Sequence, residues 1–173
     1  MSNIPDFIDG YHLPDGEHEC TMEEVEQRFL FTEKRIHLWK LFKRMLDRLN
    51  DLGIMPEVIL IDGSFVTGRA EPGDVDFGAL IPPGKVVSSL ASITDDHDQE
   101  AIHMFVHPDN QLALRNLFGA HMLVVPDEDL LNAISFLFRT GGEQFGGLRD
   151  PDPERDPAWV KKPQAKGILR INL

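Results

Sequence analysis

A single cysteine, Cys20, stands in 173 residues, which excludes an internal disulfide and any cysteine-based metal cluster. No apolar run reaches the roughly 18 residues that a membrane span requires. The opening "MSNIPDFIDG" has neither the basic start nor the apolar stretch of a secretory signal. Bases are scarce as well: 17 Lys and Arg face 29 Asp and Glu, for a net charge of −12. That balance argues against a protein that coats nucleic acid through bulk electrostatics. The expectation from these absences is a cytoplasmic protein with no membrane partner.

What is present is ordinary in bulk and uneven in detail. Hydrophobic residues make up 42% and charged residues 27% of a length that fits one domain, 1–173. Residues 1–32 carry eight acids and one base, residues 33–52 six bases and three acids, and the tail from Arg155 five bases and one acid. A positive pocket inside an acidic shell, and so an anionic ligand, stays open.

Residues 1–20 are rich in Pro, Gly and Asp and read as a loop segment. Thr21 with Glu24 three residues on forms a capping box for a short helix. Thr32 caps a longer one, where Leu38, Phe42, Met45, Leu49 and Leu52 recur at helical spacing until Gly53. "EVILI" (57–61), "DVDFGALI" (74–81), "AIHMFV" (101–106), "AHMLVV" (120–125) and "KGILRINL" (166–173) read as strands. Residues 108–119 and 127–139 read as helices, and 140–163, dense in Gly, Pro and charge, as an exposed flexible insertion. The fold class is α+β: a small mixed β-sheet flanked by helices, drawn here on one side.

The chemistry concentrates in "IDGSFVTGRAEPGDVDFGAL", residues 61–80. Gly63 and Ser64 follow a buried strand, where a glycine lets backbone approach a ligand and exposed amides can hold phosphate oxygens. Asp74 and Asp76 sit at i and i+2 on the next strand, so their carboxylates leave the same face. They repel unless a cation lies between them, and Mg²⁺ bound by carboxylates and substrate phosphates removes that repulsion. Each half of the pattern has an ordinary reading, a turn and a half-buried strand; their combination is more specific than either.

The combination resembles the nucleotidyltransferase superfamily of polymerase-β-type fold, and "GSFVTGRAEPGDVD" resembles a group of small bacterial proteins within it. The opening "LPDGEHECTMEEVEQRF" and the closing "KGILRINL" extend the resemblance, while residues 82–119 and 140–163 match poorly. It implies that Gly63 and Ser64 bind the triphosphate of an NTP and that Asp74 and Asp76 hold Mg²⁺ or Mn²⁺. It also implies a third carboxylate on a later strand. There the sequence departs: "FGAHMLVV" presents His121, and the other candidate, "AIHMFV", presents His103 with Glu100 just before it. With His121 as third ligand the site suits Mn²⁺ better than Mg²⁺. Two functions follow. One is metal-dependent nucleotidyl transfer to an acceptor such as RNA, a protein or a small molecule. The other is a nucleotide- or partner-binding protein without turnover, such as one member of a toxin–antitoxin or defence pair.

Other residues carry weaker signals. Arg69, between Ser64 and Asp74, is placed either to neutralise a γ-phosphate or to lie free on the surface. Lys40, Lys43, Arg44 and Arg48 read as a solvated helix face, and Lys166 and Arg170 as part of a basic tail. No zinc-type Cys/His spacing occurs among the seven histidines. Cys20 precedes a helix N-terminus, where a thiolate is favoured, but no base accompanies it.

Overall fold

A computed structural model describes residues 3–157 and 160–173. Strands β1 (Gly16–Glu19), β2 (Val58–Asp62), β3 (Val75–Leu80), β4 (Ala120–Val125) and β5 (Gly167–Asn172) form one mixed sheet. Their order is β1-β5-β2-β3-β4. β1 is parallel to β5 and β3 to β4, while β2 is antiparallel to both β3 and β5. The architecture is therefore α+β.

The first two helices start where their caps predict. Thr21 and Glu24 exchange hydrogen bonds at the head of α1 (Met22–Phe29). Thr32 accepts the Arg35 amide at the head of α2 (Glu33–Asp51). Four more helices follow: α3 (Pro83–Ser92), α4 (Asp96–Val106), α5 (Gln111–Phe118) and α6 (Glu128–Thr140).

Period-two alternation along the central strands divides the core between two faces. Ile59 and Ile61 of β2, with Val75, Phe77 and Ala79 of β3, pack into the large cluster built on α1, α2, α4 and α5. Val58, Leu60, Leu80, Val125 and Ile168 face the other way and pack with Leu131, Ile134 and Phe138 of α6. The expectation of helices on one side is thus corrected. Because β2 is covered on both faces, its sequence is a continuous apolar run rather than an alternating one.

Two other expectations fail for local reasons. Residues 101–106 are not a strand but the end of α4, which begins earlier, at Asp96, capped by Asp95, whose side chain accepts the Asp98 amide. Ile102 and Phe105 are buried while His103 and Met104 are exposed, a helical spacing hidden in a short apolar run. Within 1–20, "GEHE" forms β1, which has no apolar residue of its own and gains its place by pairing with β5.

Candidate functional site

The sheet register brings acids from separate strands into one row. Asp62, the last residue of β2, pairs with Asp76 of β3, and Asp76 pairs with His121 of β4. Paired Cβ atoms on neighbouring strands lie about 5 Å apart, so three titratable side chains line up on the α6 face beyond its apolar cluster. Asp74, two residues before Asp76, joins them from just outside the strand.

Asp76 is the most perturbed of the group. Burial first, then the charges of Asp74 and Asp62, push its carboxyl up to about 6, with His121 partly opposing them. His121 Nδ1 lies 3.3 Å from Asp76 Oδ1. The other two acids each hold a base: Arg115 Nε stands 2.6 Å from Asp74 Oδ2, and Lys166 Nζ pairs with Asp62. Among the described residues, no three of His, Cys, Asp or Glu are grouped as a ready metal-binding set. Asp74 and Asp76 are the carboxylates that could hold a divalent ion, with Asp62 beside them.

Gly63 explains why glycine follows Asp62. Its φ is +75°, and a Cβ there would stand 2.2 Å from Asp76 Oδ2. A side chain would collide with the carboxylate, so backbone and acid meet only because the position is glycine. Ser64 then opens a 3₁₀ turn, Gly63–Val66, and its hydroxyl makes no hydrogen bond among the described residues.

The turn and the loop behind it are fixed from below by Arg35, which is fully buried. Its guanidinium donates to the carbonyls of Phe29, Ser64, Phe65, Thr67 and Arg69 at 2.6–3.3 Å. No carboxylate pairs with it among the described residues, and burial pulls its pKa down to about 10. Arg35 was not singled out in the sequence, where it reads as one more base on a basic helix.

Gly63, Ser64, Arg69, Asp74, Asp76 and His121 all line one cleft of about 900 Å³. Arg69 does not lie free on the surface but is held by a buried acid. Its Nε and Nη2 lie 2.9 and 2.7 Å from the Asp156 carboxylate, which also accepts the Tyr11 hydroxyl. Asp156 is 7% exposed, so the expected exposed insertion over 140–163 instead supplies a buried anchor. The same segment adds the apolar side chains of Phe145, Leu148 and Pro151 to the cleft lining, as α6 adds Phe138. Sequence reasoning missed Asp62 because the strand was ended one residue early, at Ile61. It placed Lys166 in a tail, although the base lies directly before an apolar strand that must run back into the sheet.

The remaining candidates do not join this site. His103 and His107 are exposed on and after α4, and Lys43 and Arg48 pair with Glu26 and Asp98. Cys20 is buried, and burial followed by the charges of Glu24 and Glu19 pushes its thiol up to about 12, so no thiolate forms.

A family profile matches residues 5–172. The chain belongs to the DUF6932 family, a family of unknown function. Among curated proteins and among solved structures, nothing matches. The matched span in this DUF6932 chain takes in every residue that lines the cleft.

Asp76 gives the site a pH signature. Its folded pKa lies above the unfolded one, so the native state holds this proton more tightly than the unfolded chain. The stability it contributes is full below pH 3.8 and is lost as pH rises to about 6. Asp76→Asn should flatten that decline and stabilise the protein near neutral pH by about 1 kcal/mol once solvent screening is allowed for, which raises the melting temperature there. Thermal melts of both proteins across that window check it; an unchanged slope means that Asp76 titrates as an ordinary carboxylate.

Proposed function

We propose that this cleft binds an NTP together with Mg²⁺ or Mn²⁺ and transfers its nucleotidyl group to an acceptor. The observation that carries the reading is the contact between Gly63 and Asp76. It brings the backbone of a Gly-Ser turn against the Asp76 carboxylate, in a cleft that Asp74 also lines.

The donor set suits a hard cation. Asp74 and Asp76 offer carboxylate oxygens, and their repulsion is registered in the raised pKa of Asp76. A bound divalent ion supplies neutralisation of the phosphate charge at the reacting phosphorus. The chain's own residues do the rest. The Gly63–Ser64 turn positions phosphate oxygens, and Arg35 keeps that turn rigid from beneath. Lys166 and Arg115, paired with Asp62 and Asp74, are the bases of this cleft that would meet phosphate oxygens if a divalent ion were held by Asp74 and Asp76. The apolar side chains of Phe138 and Leu148 limit water in the cleft.

His121 favours a second reading, in which the cleft binds a nucleotide without turnover. It stands opposite Asp76, where the resemblance implies a third carboxylate. His121→Asp should tighten Mg²⁺ binding on the order of tenfold, since it adds a charge beside the pair. Calorimetric titration with Mg²⁺ reads it directly; unchanged affinity removes His121 from the metal site. The function itself is tested by incubating the protein with each labelled NTP, Mg²⁺ or Mn²⁺, and total RNA and protein. An Asp74→Ala, Asp76→Ala double variant is the control. Label transfer that the double variant loses supports an enzyme, and nucleotide binding without transfer supports the second reading.

A further inference from the structure

Away from the row of Asp62, Asp76 and His121, the cleft wall contains a second titratable pair. His12 lines the cleft and is 7% exposed. Its Nδ1 lies 2.7 Å from Asp9 Oδ2, and Asp9 Oδ1 accepts the Tyr11 and His12 amides at 2.9 and 2.6 Å. Burial raises the Asp9 pKa, but the hydrogen bonds from His12 and Tyr11 outweigh it and hold the carboxyl below its ordinary value. An ionised Asp9 makes Nδ1 the protonated nitrogen, by the logic of the hydrogen-bond network. Nε2 then carries the lone pair, and it has no hydrogen-bond partner among the described residues.

The backbone places the segment that carries this imidazole against the loop that follows Ser64. The Gly68 amide donates to Tyr11 O at 2.8 Å, and the Gly167 amide donates to Leu13 O at 3.0 Å. A Cβ at Gly68 would stand 2.8 Å from Gly10 O, so the two segments touch closely. Residues 10–13 are therefore wedged between the loop that follows Ser64 and the start of β5. The charged groups on those flanks are Arg69 and Asp156 on one side and Lys166 and Asp62 on the other. A histidine fixed by a carboxylate at one nitrogen and open at the other is the arrangement of a general base.

We propose that His12 is the proton acceptor of this site, written here for a hydroxyl of the acceptor substrate. The assignment rests on the transfer reading above. The hydroxyl oxygen forms its bond to the α-phosphorus while the bond from that phosphorus to the bridging oxygen of pyrophosphate breaks. Pyrophosphate leaves with the electron pair, the hydroxyl proton moves to His12 Nε2, and the imidazolium that results is stabilised by Asp9. Asp9 is a positioning residue, since it acts only through the ring.

Two measurements test this. Nitrogen NMR of the wild-type protein should show His12 as the Nδ1–H tautomer, with an Nε2 resonance that shifts when inorganic tripolyphosphate and Mg²⁺ are added. An Nε2–H tautomer, or an Nε2 signal indifferent to tripolyphosphate, overturns the proposal without reference to turnover. In transfer assays His12→Ala should lower kcat about 100-fold with little change in the NTP KM, and added imidazole should restore part of the rate. Asp9→Asn should show a smaller loss of the same kind. Wild-type kcat in His12→Ala, or a loss confined to KM, overturns the proton-acceptor role alone. Absence of transfer by the wild-type protein with every NTP overturns both this role and the function on which it rests.

Discussion

Replacing Arg35 with Met destabilises the fold by roughly 3–5 kcal/mol, the scale for stripping partners from buried polar groups. The carbonyls of Phe29, Ser64, Phe65, Thr67 and Arg69 lose a donor together, and water cannot reach a position that is 0% exposed. Met fills the aliphatic space and removes the cost of burying a charge, so the loss measures the carbonyl network rather than a cavity. Arg35→Lys should recover less than half, because an ammonium has three donors and no planar fork with which to span five carbonyls. Urea unfolding of the three proteins reads these values. A shift below about 1 kcal/mol for Arg35→Met would show that the loop satisfies its own carbonyls.

Gly63→Ala should cost about 2–4 kcal/mol, combining left-handed backbone strain with a steric clash. The Cβ would meet Asp76 Oδ2 at 2.2 Å and Cγ at 3.1 Å. The carboxylate tip can swing away, but Asp76 Cβ at 3.2 Å cannot without moving β3. A double-mutant cycle separates the two terms. Asp76→Ala should remove the Oδ2 and Cγ contacts and leave the strain and the milder Cβ contact, so the two substitutions should couple by more than 0.5 kcal/mol, as residues in contact do. Additive losses would mean that glycine serves only the backbone angle, and the link between turn and carboxylate would dissolve.

How far such couplings can be seen in a sequence depends on their range. The Thr21–Glu24 capping box, the Thr32 cap and the apolar periodicity of α2 are local, and α1 and α2 start as those residues dictate. The pairing of β2 with β3 follows from a short connection between two apolar runs, whereas β4 comes to lie beside β3 only after α3, α4 and α5, and His121 was reached through the resemblance; together they bring Gly63, Ser64, Asp74, Asp76 and His121 into one cleft. Asp62 needed the strand to be extended by one residue, which apolar content alone does not signal. Arg35 and Asp156 were illegible for a different reason. Arg35 is separated by about thirty residues from the carbonyls it binds in the loop, and Asp156 by 87 residues from Arg69. Buried polar residues in such networks look like surface residues until their partners are known. Residues 101–106 show the converse error, where a helix with two buried positions passes for a strand.

The central claim is that Gly63–Ser64 and Asp74–Asp76 form one site for a metal–nucleotide complex. Isothermal calorimetry of each NTP into the protein, with and without Mg²⁺ or Mn²⁺, tests it most directly. The account predicts binding of at least one NTP that requires the divalent ion and disappears in the Asp74→Ala, Asp76→Ala variant while the fold persists. Binding that ignores the metal, or that survives loss of both carboxylates, would contradict it, as would no binding of any NTP at millimolar concentration.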